Sequence, residues 1–351
     1  MTKDKVTAKV SFNPKKITKA LLATLNVRGA DVIKKRYGLG EQVERLTLEA
    51  IGQEYGITRE RVRQIENFSL AQIRKSRSFT EIAGVFDELS ELITKYGGVV
   101  HERDFFQTIS DDKHVQNHIH FFLVLGEPFV KVKEDSDFHH TWVVDPAMSD
   151  AVRQALHAVH KDIKEEELIS EADMILRFIN KLKECRPNAN DNEEIARRWM
   201  RISKRIGANP LGEWGASQSP NIKARGIRDY AYLILRKHGS PMHFREVAKE
   251  IASTFGRSAH VATCHNELIK DGRFVLVGRG LYALQEWGYK KGTVKEIVRE
   301  ILEKNGPLTK NEIIAKVLKE RYVKENTIVV NLQNHNYFKK EKEGRFGLAS
   351  K

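Results

Sequence analysis

Apolar residues recur every three or four positions along most of this chain, in short runs punctuated by glycine and proline, the pattern of amphipathic helices of modest length. Residues 17–77 read as helical, with breaks at Tyr37-Gly38-Leu39-Gly40 and at Tyr55-Gly56-Ile57-Thr58. From about residue 80 a helix carries Val85, Phe86, Leu89, Leu92 and Ile93 at helical spacing and stops at Gly97-Gly98. An apolar stretch at 119–125 leads into two strand-like runs, 129–133 and 141–144, joined by the polar Glu134-Asp135-Ser136-Asp137. Residues 150–220 are helical and charged. They loosen through Gly207-Ala208-Asn209-Pro210 and Gly215-Ala216-Ser217-Gln218-Ser219-Pro220, a composition that predicts a linker.

Two more units follow. One has helices near 227–238, up to 251 and at 258–270, then strands at 273–277 and 281–284 around Gly278-Arg279-Gly280. The other has helices near 294–303, 310–318 and 325–333, then strands at 337–340 and 345–348. Residues 80–145, 226–289 and 292–350 therefore share one plan, three short helices followed by a two-stranded hairpin. That is the order of a winged helix, whose third helix and wing are free to touch a duplex. The expected fold class is mainly α with small β-wings: a helix-turn-helix plus tandem winged-helix domains. The expected boundaries are a basic tail at 1–16, a helix-turn-helix at 17–77, winged helices at 80–146, 226–289 and 292–350, and a helical acidic connector and linker at 150–220.

The sharpest chemical signal runs from Thr47-Leu48-Glu49-Ala50-Ile51-Gly52 through Gly56-Ile57-Thr58-Arg59-Glu60-Arg61-Val62-Arg63-Gln64-Ile65-Glu66. Gly52 is small where two helices cross, and Gly56 permits the positive φ of a tight inter-helix turn. Thr58 caps the second helix, and Glu60 suits its first-turn dipole. Val62, Ile65, Ser69 and Ile73 fall on one face, so Arg59, Glu60, Arg63, Gln64 and Asn67 point away from the core. Arginine pairs bidentately with guanine, glutamine and asparagine with adenine, and glutamate accepts from the cytosine amino group. Arg61 and Arg74 on the same helix join the candidate contacts, while Lys34 and Lys35, outside it, are expected to neutralise phosphate without reading sequence.

Residues 25–76 resemble region four of the major bacterial sigma factor family, which reads the upstream promoter element. The likeness rests on Val32-Ile33-Lys34-Lys35-Arg36-Tyr37-Gly38-Leu39, Thr47-Leu48-Glu49 and the run from Ile57 to Glu66. It implies that Arg59, Glu60, Arg63 and Gln64 contact promoter bases in the major groove and that core RNA polymerase is a partner. The chain departs from the family at Arg28-Gly29-Ala30 and again at Asn67-Phe68-Ser69. Residues 226–289 are similar to the HARE-type winged helix, on Gly239-Ser240-Pro241-Met242-His243-Phe244-Arg245-Glu246-Val247-Ala248, Asn266-Glu267-Leu268-Ile269-Lys270-Asp271-Gly272-Arg273-Phe274 and Gly280-Leu281-Tyr282-Ala283-Leu284. That family includes the N-terminal domain of the polymerase delta subunit and accessory domains of restriction and chromatin proteins, whose members touch DNA, polymerase or both. Thr263, Asn266 and Lys270 on its third helix and Arg279 at its wing are the matching candidate DNA contacts. Too few residues precede the region-four-like part for a promoter-melting domain, so the chain is expected not to open a promoter alone.

Charge changes the picture in one respect. The net charge is +13, but residues 1–80 hold 17 basic against 8 acidic residues, 81–220 hold 17 against 25, and 221–351 hold 26 against 14. Two basic ends flanking an acidic middle fit a polyanionic partner, and double-stranded DNA is the expected one. The acidic patch from Asp162 through Glu165-Glu166-Glu167 to Glu171 and Asp173 reads as a solvated helix face or a protein-binding surface. No apolar run reaches membrane-spanning length and no leader-like segment opens the chain. The two cysteines, Cys185 and Cys264, form no paired spacing and fit a reducing cytoplasm. His114 and His118 sit one helical turn apart, with His120, His139 and His140 nearby, but no cysteine or carboxylate pattern completes a metal site. No phosphate loop, nucleophile elbow or paired-histidine zinc helix occurs. The expectation is a bacterial sigma-like transcription factor, non-catalytic and without cofactor or metal, of open oligomeric state. A delta-type accessory subunit of polymerase and the DNA-binding arm of a restriction-type system are the alternatives.

Overall fold

Helix starts are set by side-chain caps through most of the first unit. Asn13 opens α1 (Pro14–Leu22) by accepting from Lys16 N, Asn26 opens α2 (Val27–Tyr37), Thr47 opens α3 (Leu48–Tyr55) and Thr58 opens α4 (Arg59–Arg74). A one-turn α5 (Arg77–Thr80) leads to α6 (Ala83–Lys95), β1 (Val99–His101), α7 (Glu102–Ile109), α8 (Lys113–Leu125), β2 (Val130–Val132) and β3 (Thr141–Val143). Then come α9 (Pro146–Asp162), α10 (Glu171–Cys185), α11 (Glu193–Met200) and the strands β4 (Ile206–Ala208) and β5 (Trp214–Ala216). The computed structural model describes residues 10–189, 192–289, 292–320, 323–341 and 344–349. Residues 1–9 of the expected basic tail lie outside these, and its last three residues already belong to α1.

The chain divides into two units: residues up to Gly207 with Trp214–Ser217, and Ala208–Glu213 with Gln218 onward. In the first, the expected break near residue 80 is not a boundary between cores. Leu21, Ile33, Tyr37, Leu70 and Ile73 from α1, α2 and α4 share one cluster with Phe86, Leu89, Phe105, Phe121, Phe122 and Trp142. The cause is α8, whose C-terminal half is apolar on every side, with Ile119, Phe121, Phe122, Leu123 and Leu125 all buried, and whose polar Asn117, His118 and His120 are buried beside them. Its Asn117 donates Nδ2 to Gly38 O at 2.9 Å and Val43 O at 2.8 Å, and accepts from Arg45 Nε at 2.7 Å. His118 Nδ1 lies 2.9 Å from Thr18 Oγ1 on α1. The third helix of the first winged-helix copy is thus packed against α1 and the α2–α3 loop and presents no open face to a duplex.

The stretch at 150–220 is likewise no open connector. Helices α9, α10 and α11 enclose Val152, Leu156, Met174, Phe178, Leu182 and Trp199, together with Val99 and Val143 of the neighbouring sheet. The glycine- and serine-rich segment is folded as well. Strands β4 and β5 pair, Trp214 is buried and bridges to Ile169, and Ser219 and Asn221 are buried. Small polar residues here make turn and backbone contacts, as where Asn209 Oδ1 accepts from Leu211 N and Glu213 N.

The second unit holds α12 (Ile227–His238), β6 (Met242–His243), α13 (Phe244–Phe255), α14 (Val261–Lys270), β7 (Phe274–Gly278) and β8 (Leu281–Leu284). It continues with α15 (Val294–Asn305), β9 (Leu308–Thr309), α16 (Lys310–Glu320), α17 (Glu325–Leu332), β10 (Phe338–Lys340) and β11 (Arg345–Leu348). All three winged-helix copies carry a third strand between their first and second helices. The sheet orders are β1-β3-β2, β6-β8-β7 and β9-β11-β10, every pair antiparallel. The added strands are only two or three residues long, too short for a periodic signal. The last copy has its own core of Ile297, Val298, Ile301, Ile313, Val317, Ile328, Leu332 and Phe338.

Candidate nucleic-acid interface

The α3–α4 pair is built by a few local constraints. Gly56 ends α3 at φ +64°, and Ile57 N then bonds to Gly52 O at 2.9 Å. The turn backbone therefore lies directly on Gly52, where a Cβ would come within 2.6 Å of Ile57 O. The small residue is needed against the turn, more than at a helix crossing. Thr58 Oγ1 accepts from Arg61 N at 3.2 Å and starts α4.

The inner face of α4 is Val62, Glu66, Ser69, Leu70 and Ile73, with Ile65 half-buried. Glu66 is the unexpected member. Its carboxylate accepts from Tyr37 Oη at 2.8 Å and faces Arg36 Nε at 3.4 Å. Burial, reinforced by this carboxylate, pushes the Tyr37 hydroxyl well above its ordinary range, so it stays a donor. The two departures from the sigma pattern meet in space, since a Cβ on Gly29 would lie 2.7 Å from Ser69 Oγ. Helices α2 and α4 approach closely there, and a larger residue at either position would force them apart.

The opposite face of α4 is open. Arg59, Glu60, Arg61, Arg63, Gln64 and Asn67 are all exposed. Glu60 grips Arg63 with both oxygens, at 2.9 Å to Nε and 2.7 Å to Nη2, and Arg61 Nη1 donates to Gln64 Oε1 at 3.0 Å. The Arg63 guanidinium holds the Glu60 carboxyl below its usual range. An exposed pair three residues apart opens at little cost, and it presents guanidinium and carboxylate side by side on the face. Arg74 departs from this set. Its guanidinium donates to Leu125 O at 3.1 Å and Val124 O at 2.8 Å, capping the end of α8. Lys35 is also spent, at 2.6 Å from Glu54 and 3.2 Å from Asp31, whereas Lys34 is exposed with no ion-pair partner among the described residues.

In the second winged helix, Thr263, Asn266 and Lys270 are exposed along α14 while Cys264 and Leu268 are buried beneath them. Burial pushes the Cys264 thiol up to about 11, so it is a packing residue. Arg279 is exposed at the turn between β7 and β8. Two sets were missed from sequence: the Asn117 contacts, because they link residues some seventy positions apart, and the exposed face of α17, where Asn326, Thr327 and Val330 stand opposite buried Ile328 and Leu332.

The fold and this face define a helix-turn-helix followed by winged helices, and the comparisons agree. Residues 21–75 match the family model described as Sigma-70, region 4, and residues 227–287 match the HARE-HTH model, a helix-turn-helix domain named for ASXL and restriction endonuclease proteins among others. Over 55 residues the chain is 47% identical to the RNA polymerase principal sigma factor HrdD of Streptomyces coelicolor and to that of Streptomyces viridifaciens, and 44% identical to that of Streptomyces griseus. Each likeness covers 16% of this chain and 16% of the relative. Among the described residues, no helix is long and apolar enough to cross a membrane.

Proposed function

We propose that the protein is a sequence-specific, non-catalytic DNA-binding transcription factor that reads promoter-type duplex with α4 and contacts core RNA polymerase. The observation that carries this reading is the split of α4 into a face sunk in the core and a face of exposed Arg59, Glu60, Arg63, Gln64 and Asn67, within the segment similar to sigma region four. Recognition would place the first turns of α4 in the major groove, with arginine and glutamine on base edges and Lys34 on phosphate. The reading needs no bond to be made or broken, only recognition and tethering.

The HARE-type match favours a second reading, an accessory subunit of delta type in which polymerase binding leads and DNA reading is secondary. Pull-down against core polymerase beside a duplex shift assay separates the two. The preferred reading expects a specific duplex complex in the absence of polymerase. Binding to duplex only when polymerase is present would favour the accessory role.

A further inference from the structure

The last winged helix, 292–350, lies outside both family matches, yet its third helix differs from that of the first copy in the way that matters for a ligand. Helix α8 buries its length against its neighbours. Helix α17 sinks only Ile328 and Leu332 and leaves Asn326, Thr327 and Val330 exposed, with Gln333 exposed at its end. Val330 keeps 64% of its surface open. Positions 326, 330 and 333 fall on one stripe of a helix, and 327 lies beside it. Among the described residues, no partner takes the Asn326 or Gln333 amide groups. Nearby, Lys324 precedes the helix and Lys340 stands on the wing, both exposed with no ion-pair partner among the described residues, and Arg345 is exposed on the facing strand. The carboxylates of this domain are largely committed elsewhere: Glu296 and Glu312 close capping contacts with Thr293 and Thr309, Glu303 pairs with Arg299, and Glu341 with Lys339.

We infer that the C-terminal winged helix is a second reader of double-stranded DNA, with a preference for A·T pairs. The chemistry of the stripe sets the preference. Asparagine and glutamine amides pair with the N6 and N7 edge of adenine, and the Val330 and Thr327 methyl groups pack on the thymine methyl. The stripe carries no arginine, the side chain that reads guanine most often, whereas α4 carries Arg59 and Arg63. Lys324, Lys340 and Arg345 supply phosphate contacts at the helix start and wing. Glu325, in the first turn, suits the helix dipole and accepts from a base amino group, of adenine as of cytosine.

This inference is independent of the role given to α4, and the test keeps the two apart. The full chain selects duplexes from a random library, as wild type, as Asn326→Ala with Gln333→Ala, and as Arg63→Ala. The wild type is expected to enrich a two-part motif with one A·T-rich block. The Asn326→Ala, Gln333→Ala variant should lose that block alone and bind the composite site about thirtyfold more weakly, with unchanged thermal unfolding because both side chains are exposed. Arg63→Ala should leave the block in place. A wild-type motif without an A·T block, a block that survives the double variant, or loss of a G·C block in its place would overturn the inference. Loss of the remaining block in Arg63→Ala tests the role of α4 alone.

Discussion

Binding of the full chain to duplex DNA is expected to weaken by about a thousandfold or more as monovalent salt rises from about 50 to about 200 mM, the response of a protein that neutralises about six phosphates. Each neutralised phosphate releases condensed counterions and adds about −0.9 to the log–log slope. The cations are present where contact is expected. Residues 1–80 carry 17 basic against 8 acidic residues, and Lys34 and Arg61 are exposed beside the reading face. Residues 221–351 add 26 against 14, with Lys270, Arg279, Lys324 and Lys340 exposed. Fluorescence anisotropy on one duplex across a salt series measures the slope. A flat response would mean that binding is not driven by phosphate contacts, and the nucleic-acid reading would fall with it.

Asn117→Ala should lower the stability of the first unit by about 2–4 kcal/mol, since one buried and one half-buried carbonyl lose their donor and a small cavity opens. Asn117 is 5% exposed, and its amide bonds both Gly38 O and Val43 O, which bracket the loop from α2 to α3. The loop should loosen with it, so duplex affinity falls even though residue 117 is nowhere near the reading face. Asn117→Asp is the useful companion. It keeps the acceptor for Arg45 Nε but removes both donated bonds, and it should destabilise at least as much. Denaturant unfolding followed by the first transition, with duplex affinity measured in parallel, checks both. An unchanged transition in both variants would show that α8 does not hold the helix-turn-helix.

The local grammar of the helix-turn-helix was legible in the sequence because each device acts within a few residues. Thr47 and Thr58 cap, Gly56 turns and Val62 to Ile73 bury, as spacing predicts. The side of α4 that carries Arg59, Arg63 and Gln64 follows from the same periodicity. What spacing does not reveal is where long-range partners come from. Arg74 looks like a further base contact until the end of α8 arrives at its guanidinium, and Lys35 looks like a phosphate contact until Glu54 and Asp31 take it. A charged residue such as Glu66 carries no burial signal of its own, yet Tyr37 draws it inward.

The errors of domain organisation have one common source. Composition marks 207–220 as a linker because glycine, serine and asparagine are abundant, but these residues turn and bond a hairpin that Trp214 anchors. The three winged-helix copies look alike in order, and only the residue types on their third helices tell them apart. Phe121, Phe122 and Leu123 stand on α8 where Asn266 and Lys270 stand on α14 and Asn326 on α17. A third helix whose C-terminal half is apolar all round is a packing element, and one polar on its outer side is available for a ligand. That difference is present in the sequence and outweighs the shared order.

The claim that α4 reads bases is tested most directly by Arg63→Ala, measured on the selected cognate duplex and on a scrambled duplex at one salt concentration, with Lys34→Ala as the control. Arg63 lies one turn into the helix, exposed, with its guanidinium held along the face by Glu60, where a bidentate contact to guanine carries discrimination. The account predicts that Arg63→Ala loses about tenfold or more on the cognate duplex and little on the scrambled one. Lys34→Ala should weaken both duplexes alike, as a phosphate contact does. Equal losses on both duplexes for Arg63→Ala would contradict base reading by this helix.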